Sequence, residues 1–249
     1  MKTLGNEVYA PITDAIGFLK APLEVVVDTL VSWRIRLERQ VELSEVDGAL
    51  SSWESSLGPL ESGPRSRELL IATKGDWIAW VSNSALGTNP FSAVEMLAKY
   101  SSSAAVMVSA KPHTLNSPKL KGVSAGRYGG CRFDYWAPGA NGELEKLKHV
   151  MVAHSGGSKW LFFNQGEPQP FEEPEAYERP RVRERFTSEM LERYCQALGI
   201  DVFNEDFYGP RAVLVDSKVN DVPPTISRTL KETQEIMGIV PGRSAEFPG

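Results

Sequence analysis

Cysteine is scarce in this chain, and long apolar runs are missing. Cys131 and Cys195 are its two cysteines in 249 residues. They form no disulfide framework and no C-x-x-C metal spacing, so we expect two buried, reduced thiols. No apolar run approaches the roughly 20 residues that a membrane span needs. Residues 1–21 contain Glu7 and Asp14 and lack the apolar core of a signal peptide, so we expect a cytoplasmic protein.

A surplus of basic residues is also lacking. The chain has 27 Lys and Arg against 32 Asp and Glu, which gives a formal net charge of −5. Nucleic-acid binding draws on Lys and Arg to contact phosphates, so this balance disfavours a nucleic-acid partner. Either the acidic surface is simply solvated, or it meets a protein partner with a basic surface.

The remaining composition is that of a globular protein, with 41% hydrophobic and 24% charged residues. Helical and strand periodicities both occur. They predict an α+β fold in which several helices pack on a mixed or antiparallel sheet, within a single domain over residues 1–249. The pattern leaves open whether residues 1–60 form a separate N-terminal extension of helix and strand.

Two segments show the strand signals most clearly, and a third is ambiguous. Residues 69–72 and 77–81 are apolar and are joined by a short loop at 74–76, which predicts a hairpin whose second strand is covered on both faces. Apolar residues follow Pro22 at helical spacing. Residues 33–43 then alternate between apolar and charged side chains, which predicts a strand, with a continued helix as the alternative.

No motif assigns a catalytic residue, a cofactor or a metal. Residues 122–126 match G-x-S-x-G, but their flanks are neither the strand nor the helix of a nucleophile elbow. Residues 154–159 lack the spacing of a phosphate-binding P-loop. His149 and His154 are five positions apart, which on a strand places them on opposite faces and disfavours a metal pair.

The most unusual feature is a segment in which glutamates precede arginines. Five residues in its acidic half are the candidate partner-binding residues, because glutamates steer a basic ligand and aromatic side chains anchor it. The alternative is a solvated loop whose acidic and basic halves pair with each other. The candidates are Phe171, Glu172, Glu173, Glu175 and Tyr177.

Two runs of residues resemble a pattern found in bacterial proteins of unassigned activity. One is W-I-A-W-V-S-N-S-A-L-G-T-N-P at residues 77–90, and the other extends from Trp160 through Pro170-Phe171-Glu172 and Tyr177 to residues 198–200. The resemblance covers residues 50–216 and implies no activity and no catalytic residues. The general character of the chain is also similar to that of immunity proteins, which neutralise secreted bacterial toxins.

These observations lead to two main functional hypotheses, and a structural domain of a larger system, such as a mobile-element or phage product, is a further option. The first is a non-enzymatic protein-binding module of bacterial type, such as an immunity protein. The second is a hydrolase-like enzyme whose site is assembled from dispersed residues, with His154, Arg132, Asp134 or the loop at 164–185 converging on a pocket. The oligomeric state is not determined by the sequence.

Overall fold

The computed structural model describes residues 1–115, 126–156, 159–219 and 222–242. In this part of the chain a nine-stranded antiparallel sheet dominates an α+β fold, and two further short strands pair with each other. In chain order the strands are β1 (Ala15–Leu19), β2 (Gln40–Asp47), β3 (Leu60–Ser62), β4 (Ser66–Thr73), β5 (Ile78–Ser82), β6 (Ala105–Lys111), β7 (Gly130–Pro138), β8 (Leu144–His154), β9 (Trp160–Gln165), β10 (Tyr208–Lys218) and β11 (Ile226–Arg228).

Five α-helices lie within the described residues. They are α1 (Leu23–Arg36), α2 (Trp53–Leu57), α3 (Phe91–Ser101), α4 (Ser188–Ala197) and α5 (Leu230–Met237). Thr187 caps the start of α4 by accepting a hydrogen bond from the Met190 amide. A capping box between Thr229 and Glu232 begins α5. No helix in the described part of the chain has the length and apolarity that crossing a bilayer requires.

Strands from distant parts of the sequence are neighbours in the large sheet, whose order is β2-β10-β4-β5-β1-β6-β7-β8-β9. β1 lies at the centre, with Gly17 opposite Trp80 of β5 and Met107 of β6. β10 lies between β2 and β4. Residues 1–60 thus contribute both a central strand and an end strand to the sheet.

The sheet has two covered faces. Helices α1 and α3 pack on one of them, here called the α1 face, where Leu70, Trp80 and Met107 join their apolar side chains. Helices α2 and α4 pack on the opposite α4 face, where Ile71 and Phe133 belong to the larger core. Side chains alternate between these faces along each strand, so one strand supplies both cores.

The cover on the α1 face thins toward β8 and β9. Cross-strand pairs join Met151 to Phe163 and Ala153 to Leu161 on this face. Phe163 is 40% exposed and Leu161 is 41% exposed. Apolar side chains of the sheet therefore reach solvent at this end.

Several expectations from the sequence are confirmed. The hairpin around residues 74–76 joins β4 to β5, and every residue of β5 is buried. The large sheet is antiparallel throughout, which was one of the two expected arrangements. Cys131 and Cys195 are free and buried, and burial raises the pKa of both thiols.

The strand predicted over residues 33–43 is wrong in its first half. Helix α1 continues to Arg36, and β2 begins at Gln40. The alternation did not mark a buried face, because Ile35 and Leu37 are about half exposed. Glu38 adopts a positive φ of 57°, which ends the helical conformation and turns the chain toward β2.

Candidate functional site

The segment with the five candidate partner-binding residues follows β9 and folds onto the α4 face. Its central carboxylate is buried: Glu172 Oε2 lies 2.9 Å from Lys148 Nζ, and each side chain is 1% exposed. The Tyr177 hydroxyl donates to Glu172 Oε2 at 2.8 Å, and the Gln169 amide donates to Oε1 at 2.7 Å. Glu172 is therefore a satisfied internal ion-pair partner of a buried lysine.

The two aromatic candidates also face inward. The Tyr177 and Tyr194 hydroxyls are 2.8 Å apart, and the Glu173 amide donates to the Tyr194 hydroxyl at 2.9 Å. Burial is the main cause that raises the pKa of Tyr177. Phe171 packs edge-on against Phe133. These contacts attach the segment to the sheet and to α4.

The remaining two glutamates face outward. Glu173 pairs with Arg193 of α4 at 2.6 Å, and Glu175 is exposed. The structure thus brings the five residues together in one segment but divides them between its inner and outer sides. Of the five, Glu175 is exposed, and Glu173 is partly exposed in its pair with Arg193.

The residues named for an enzyme site lie on two faces. Arg132 pairs with Met151 across β7 and β8, and Asp134 pairs with His149, which places all four on the α1 face. His154 follows the opposite alternation and lies on the α4 face, as does the segment that contains Glu172. The sheet therefore separates Arg132 and Asp134 from His154.

His154 belongs to a cluster of rings at the end of β8. Its ring centroid lies 4.4 Å from that of His113, 5.4 Å from Tyr128 and 5.4 Å from Trp160. His113 Nδ1 accepts a hydrogen bond from the Gly129 amide. Burial, together with the neighbouring His154, lowers the pKa of His113. These contacts pack the rings together and favour the neutral form of His113.

Asp134 is the centre of a polar cluster on the α1 face. Its carboxylate is fully buried and lies within hydrogen-bond distance of three side chains from β7 and β8: Arg132 Nε at 2.5 Å, His149 Nδ1 at 2.9 Å and Lys146 Nζ at 3.3 Å. Burial alone would raise the pKa of Asp134. The bonds from His149 and Arg132 outweigh burial and hold the pKa below its ordinary value.

An Asp–His pair of this geometry also orients the base in nucleophilic hydrolases. Such a mechanism needs a nucleophile within hydrogen-bond reach of the other imidazole nitrogen. Among the described residues, the hydrogen bond of His149 goes to Asp134. The described residues contain no group of three or more His, Cys, Asp or Glu side chains placed to hold a metal ion. Residues 122–125 of the G-x-S-x-G match lie outside the described residues.

A second polar surface lies at the opposite end of the sheet, where β2 is the terminal strand. A groove of about 260 Å³ separates β2 from α1, and Leu43, 52% exposed, lies along it. Glu24 and Asp28 line its helix side, and Glu45 lines its strand side. Apolar and acidic groups therefore alternate along an open groove.

One arginine connects the two sides of this groove. Arg211 of β10 lies 2.8 Å from Glu24 and 3.3 Å from Glu45. Glu24 is in the first turn of α1, where the backbone hydrogen bond that it accepts, followed by the Arg211 bond, lowers its pKa. Both carboxylates are solvent-exposed, so a partner can approach them.

Reasoning from the sequence named Asp134 and Glu172 as candidates, but it missed the groove and the burial of both carboxylates. The alternation over residues 33–43 predicted a half-buried strand with a charged outer face, but not the place of β2 at the end of the sheet. Nothing in the sequence indicated that Lys148 and Glu172 are buried, because charged residues are ordinarily exposed. Comparison with protein-family models, with curated proteins and with solved structures finds no match to this chain.

Proposed function

We propose that this chain is a non-enzymatic protein-binding module whose binding surface is the outer edge of β2 with the groove beside it. The observation that carries the proposal is that β2, eight residues long, ends the sheet and has mostly exposed side chains. A terminal strand presents backbone N–H and C=O groups that a partner strand can pair with. Strand addition is a recurrent mode of peptide recognition.

The negative charge of this edge favours a partner segment that is basic. Residues 40–47 contain Glu42, Glu45 and Asp47 and no Lys or Arg. Asp28 adds a further carboxylate from α1 on the other side of the groove. A partner segment with Lys or Arg side chains would complement this surface, and the charges would increase the rate of association.

The groove also supplies an apolar contact. Leu43 is exposed, and Leu23, Val27 and Val213 line the groove with it. Leu43 and Glu45 are two positions apart and therefore lie on the same face of β2. An apolar side chain of a partner strand would be buried against Leu43, and a basic side chain two positions along the partner would meet Glu45 and Asp28. The matching partner strand therefore carries an apolar and a basic residue at successive positions of one face, which are two residues apart in its sequence.

The finer proposal is that the partner is a toxin and that this chain is its immunity protein. The acidic edge supports it, because toxins that act on nucleic acids have basic surfaces that an acidic protein can cover. Co-expression tests this proposal. The partner is first isolated by affinity purification on the wild-type chain. We expect the wild-type chain to restore growth of cells that express this partner, and the variant Asp28→Lys/Glu45→Lys to fail.

Strand addition itself is tested with a defined peptide. We expect an eight-residue peptide in which Val and Lys take turns at every second position, with Thr between them, to bind and to protect β2 amides from hydrogen exchange. A peptide of the same charge with central prolines cannot form the ladder and should bind at least about ten-fold more weakly. The affinity should fall as ionic strength rises from about 0.05 to 0.5 M.

The matched variants compare two acidic surfaces. Asp28→Lys/Glu45→Lys reverses the groove, and Glu173→Lys/Glu175→Lys reverses two charges on the segment after β9. We expect loss of peptide binding in the first variant only. Binding that is unchanged in the first, or lost only in the second, contradicts the β2 surface. Equal binding of the proline peptide contradicts strand addition.

A further inference from the structure

We propose that Arg132, Lys146 and His149 form a binding site for an amphiphilic carboxylate on the α1 face of β7 to β9. This site is at the opposite end of the sheet from the β2 groove and does not depend on the proposed protein-binding function. The proposal rests on three features: the buried Asp134 carboxylate to which the three side chains bond, the net charge of this cluster, and the apolar side chains beside it.

Asp134 organises the site. Its carboxylate is fully buried, and each of the three side chains is bonded to it, so their polar groups converge on one point. Arg132 bonds through Nε, and His149 bonds through Nδ1. The outer nitrogens of the guanidinium and of the imidazole are therefore directed away from Asp134, where they can donate to a second anion.

The charges favour a second anion. Asp134 contributes one negative charge, whereas Arg132 and Lys146 contribute two positive charges. The Arg132 side chain is 26% exposed and that of Lys146 is 35% exposed, so both reach solvent. Arg132, Lys146 and Asp134 together carry one uncompensated positive charge, which a monoanion would neutralise through charge-assisted hydrogen bonds.

Aromatic packing holds the two cations in place. Arg132 lies over the Phe91 ring at 4.9 Å from its centroid, and Lys146 lies over the same ring at 4.6 Å. Lys146 also lies 4.8 Å from the Trp136 centroid. Because their positions are set before a ligand arrives, little conformational entropy is lost on binding.

The neighbouring apolar surface selects a ligand with a tail. His149 is next to Met151 along the α1 face of β8, and Met151 is paired with Phe163 of β9. Phe163 and Leu161 are exposed there. An alkyl chain attached to the bound carboxylate would cover these side chains, each buried methylene adding to affinity.

Three probes test the site by calorimetric titration of the full chain: octanoate, acetate and octylammonium. We expect octanoate to bind, acetate to bind more weakly, and octylammonium not to bind. Imidazole resonances of His149 should shift on addition of octanoate. Equal binding of octanoate and octylammonium would show adsorption to the apolar surface alone and overturns the proposal, as does absence of octanoate binding.

Variants assign the binding to these residues. We expect Lys146→Met and Arg132→Gln each to weaken octanoate binding about ten-fold, since each removes a charged donor. Lys159→Met removes the lysine that immediately precedes β9 and should leave the affinity unchanged. Phe163→Ser should reduce octanoate affinity to that of acetate. Circular dichroism verifies folding, and octanoate affinity that is unchanged in folded Lys146→Met and Arg132→Gln contradicts the site.

Discussion

Buried ionisable side chains connect the irregular segments of this molecule to its sheet. Lys148 and Glu172 attach the segment after β9 to β8. Arg127 is bonded to both Glu7 and Asp14, which attaches the start of the chain to the residues before β7. Charges removed from water carry a large desolvation cost, so each pair depends on the presence of both partners.

The pair of Lys148 and Glu172 gives the first prediction for stability. Glu172→Gln leaves a buried ammonium without its counter-charge, and we expect the free energy of unfolding in urea to fall by about 3–5 kcal/mol. Lys148→Met combined with Glu172→Gln removes both charges and should be more stable than Glu172→Gln alone.

Glu173→Gln is the matched control, because Glu173 pairs with an Arg193 side chain that is 52% exposed. An exposed pair contributes about 0–1 kcal/mol. A Glu172→Gln variant as stable as Glu173→Gln would show that the buried pair does not hold the segment.

At the scale of elements, helix α3 packs closely against the central strand β1, and this close approach requires a glycine at position 17. Gly17 of β1 faces α3, and a Cβ at this position would overlap Val94 Cγ2 and lie 3.1 Å from Pro90 Cβ. The helix can approach the central strand closely because the side chain is missing.

We expect Gly17→Ala to reduce the free energy of unfolding by about 1–3 kcal/mol through overpacking. Val94→Ala removes the methyl group that the added Cβ would overlap. The free energy of unfolding of the double variant should therefore be about 1 kcal/mol higher than the sum of the two single changes implies. Urea denaturation of the four proteins measures this coupling. Strict additivity would show that α3 does not contact β1 at Gly17.

At the scale of the whole molecule, the sheet connects the beginning of the chain to its end. β1 separates β5 from β6, and β10 pairs along its length with β2. Residues 1–60 therefore supply pairing partners that the later strands need. The two ends of the sheet differ in character: β2 carries acids at one end, and Arg132 and Lys146 lie near the other.

This topology predicts one cooperative unfolding transition. Tryptophan fluorescence and far-ultraviolet circular dichroism should give the same urea midpoint, because the six tryptophans are spread over the sequence. A truncated chain of residues 61–249 lacks the central strand and should show no cooperative transition. Two separate transitions in the full chain, or cooperative folding of the truncated chain, would indicate an independent N-terminal unit.

Local patterns in the sequence determined the α+β class, the hairpin around residues 74–76, and the fully buried strand β5. Periodicity and turn chemistry act between neighbouring residues, so they can be read without a structure. The same signals failed at the end of α1. There, apolar and charged residues alternate in a segment whose apolar side chains are exposed.

Only the tertiary structure decided where the candidate sites lie. Asp47 of β2 pairs with Arg211 of β10, and Lys148 pairs with Glu172 from a different segment. These pairings join residues that are distant in sequence, and they are set by which strands become neighbours. No local propensity encodes whether a glutamate is exposed on an edge, as Glu45 is, or buried against a lysine, as Glu172 is.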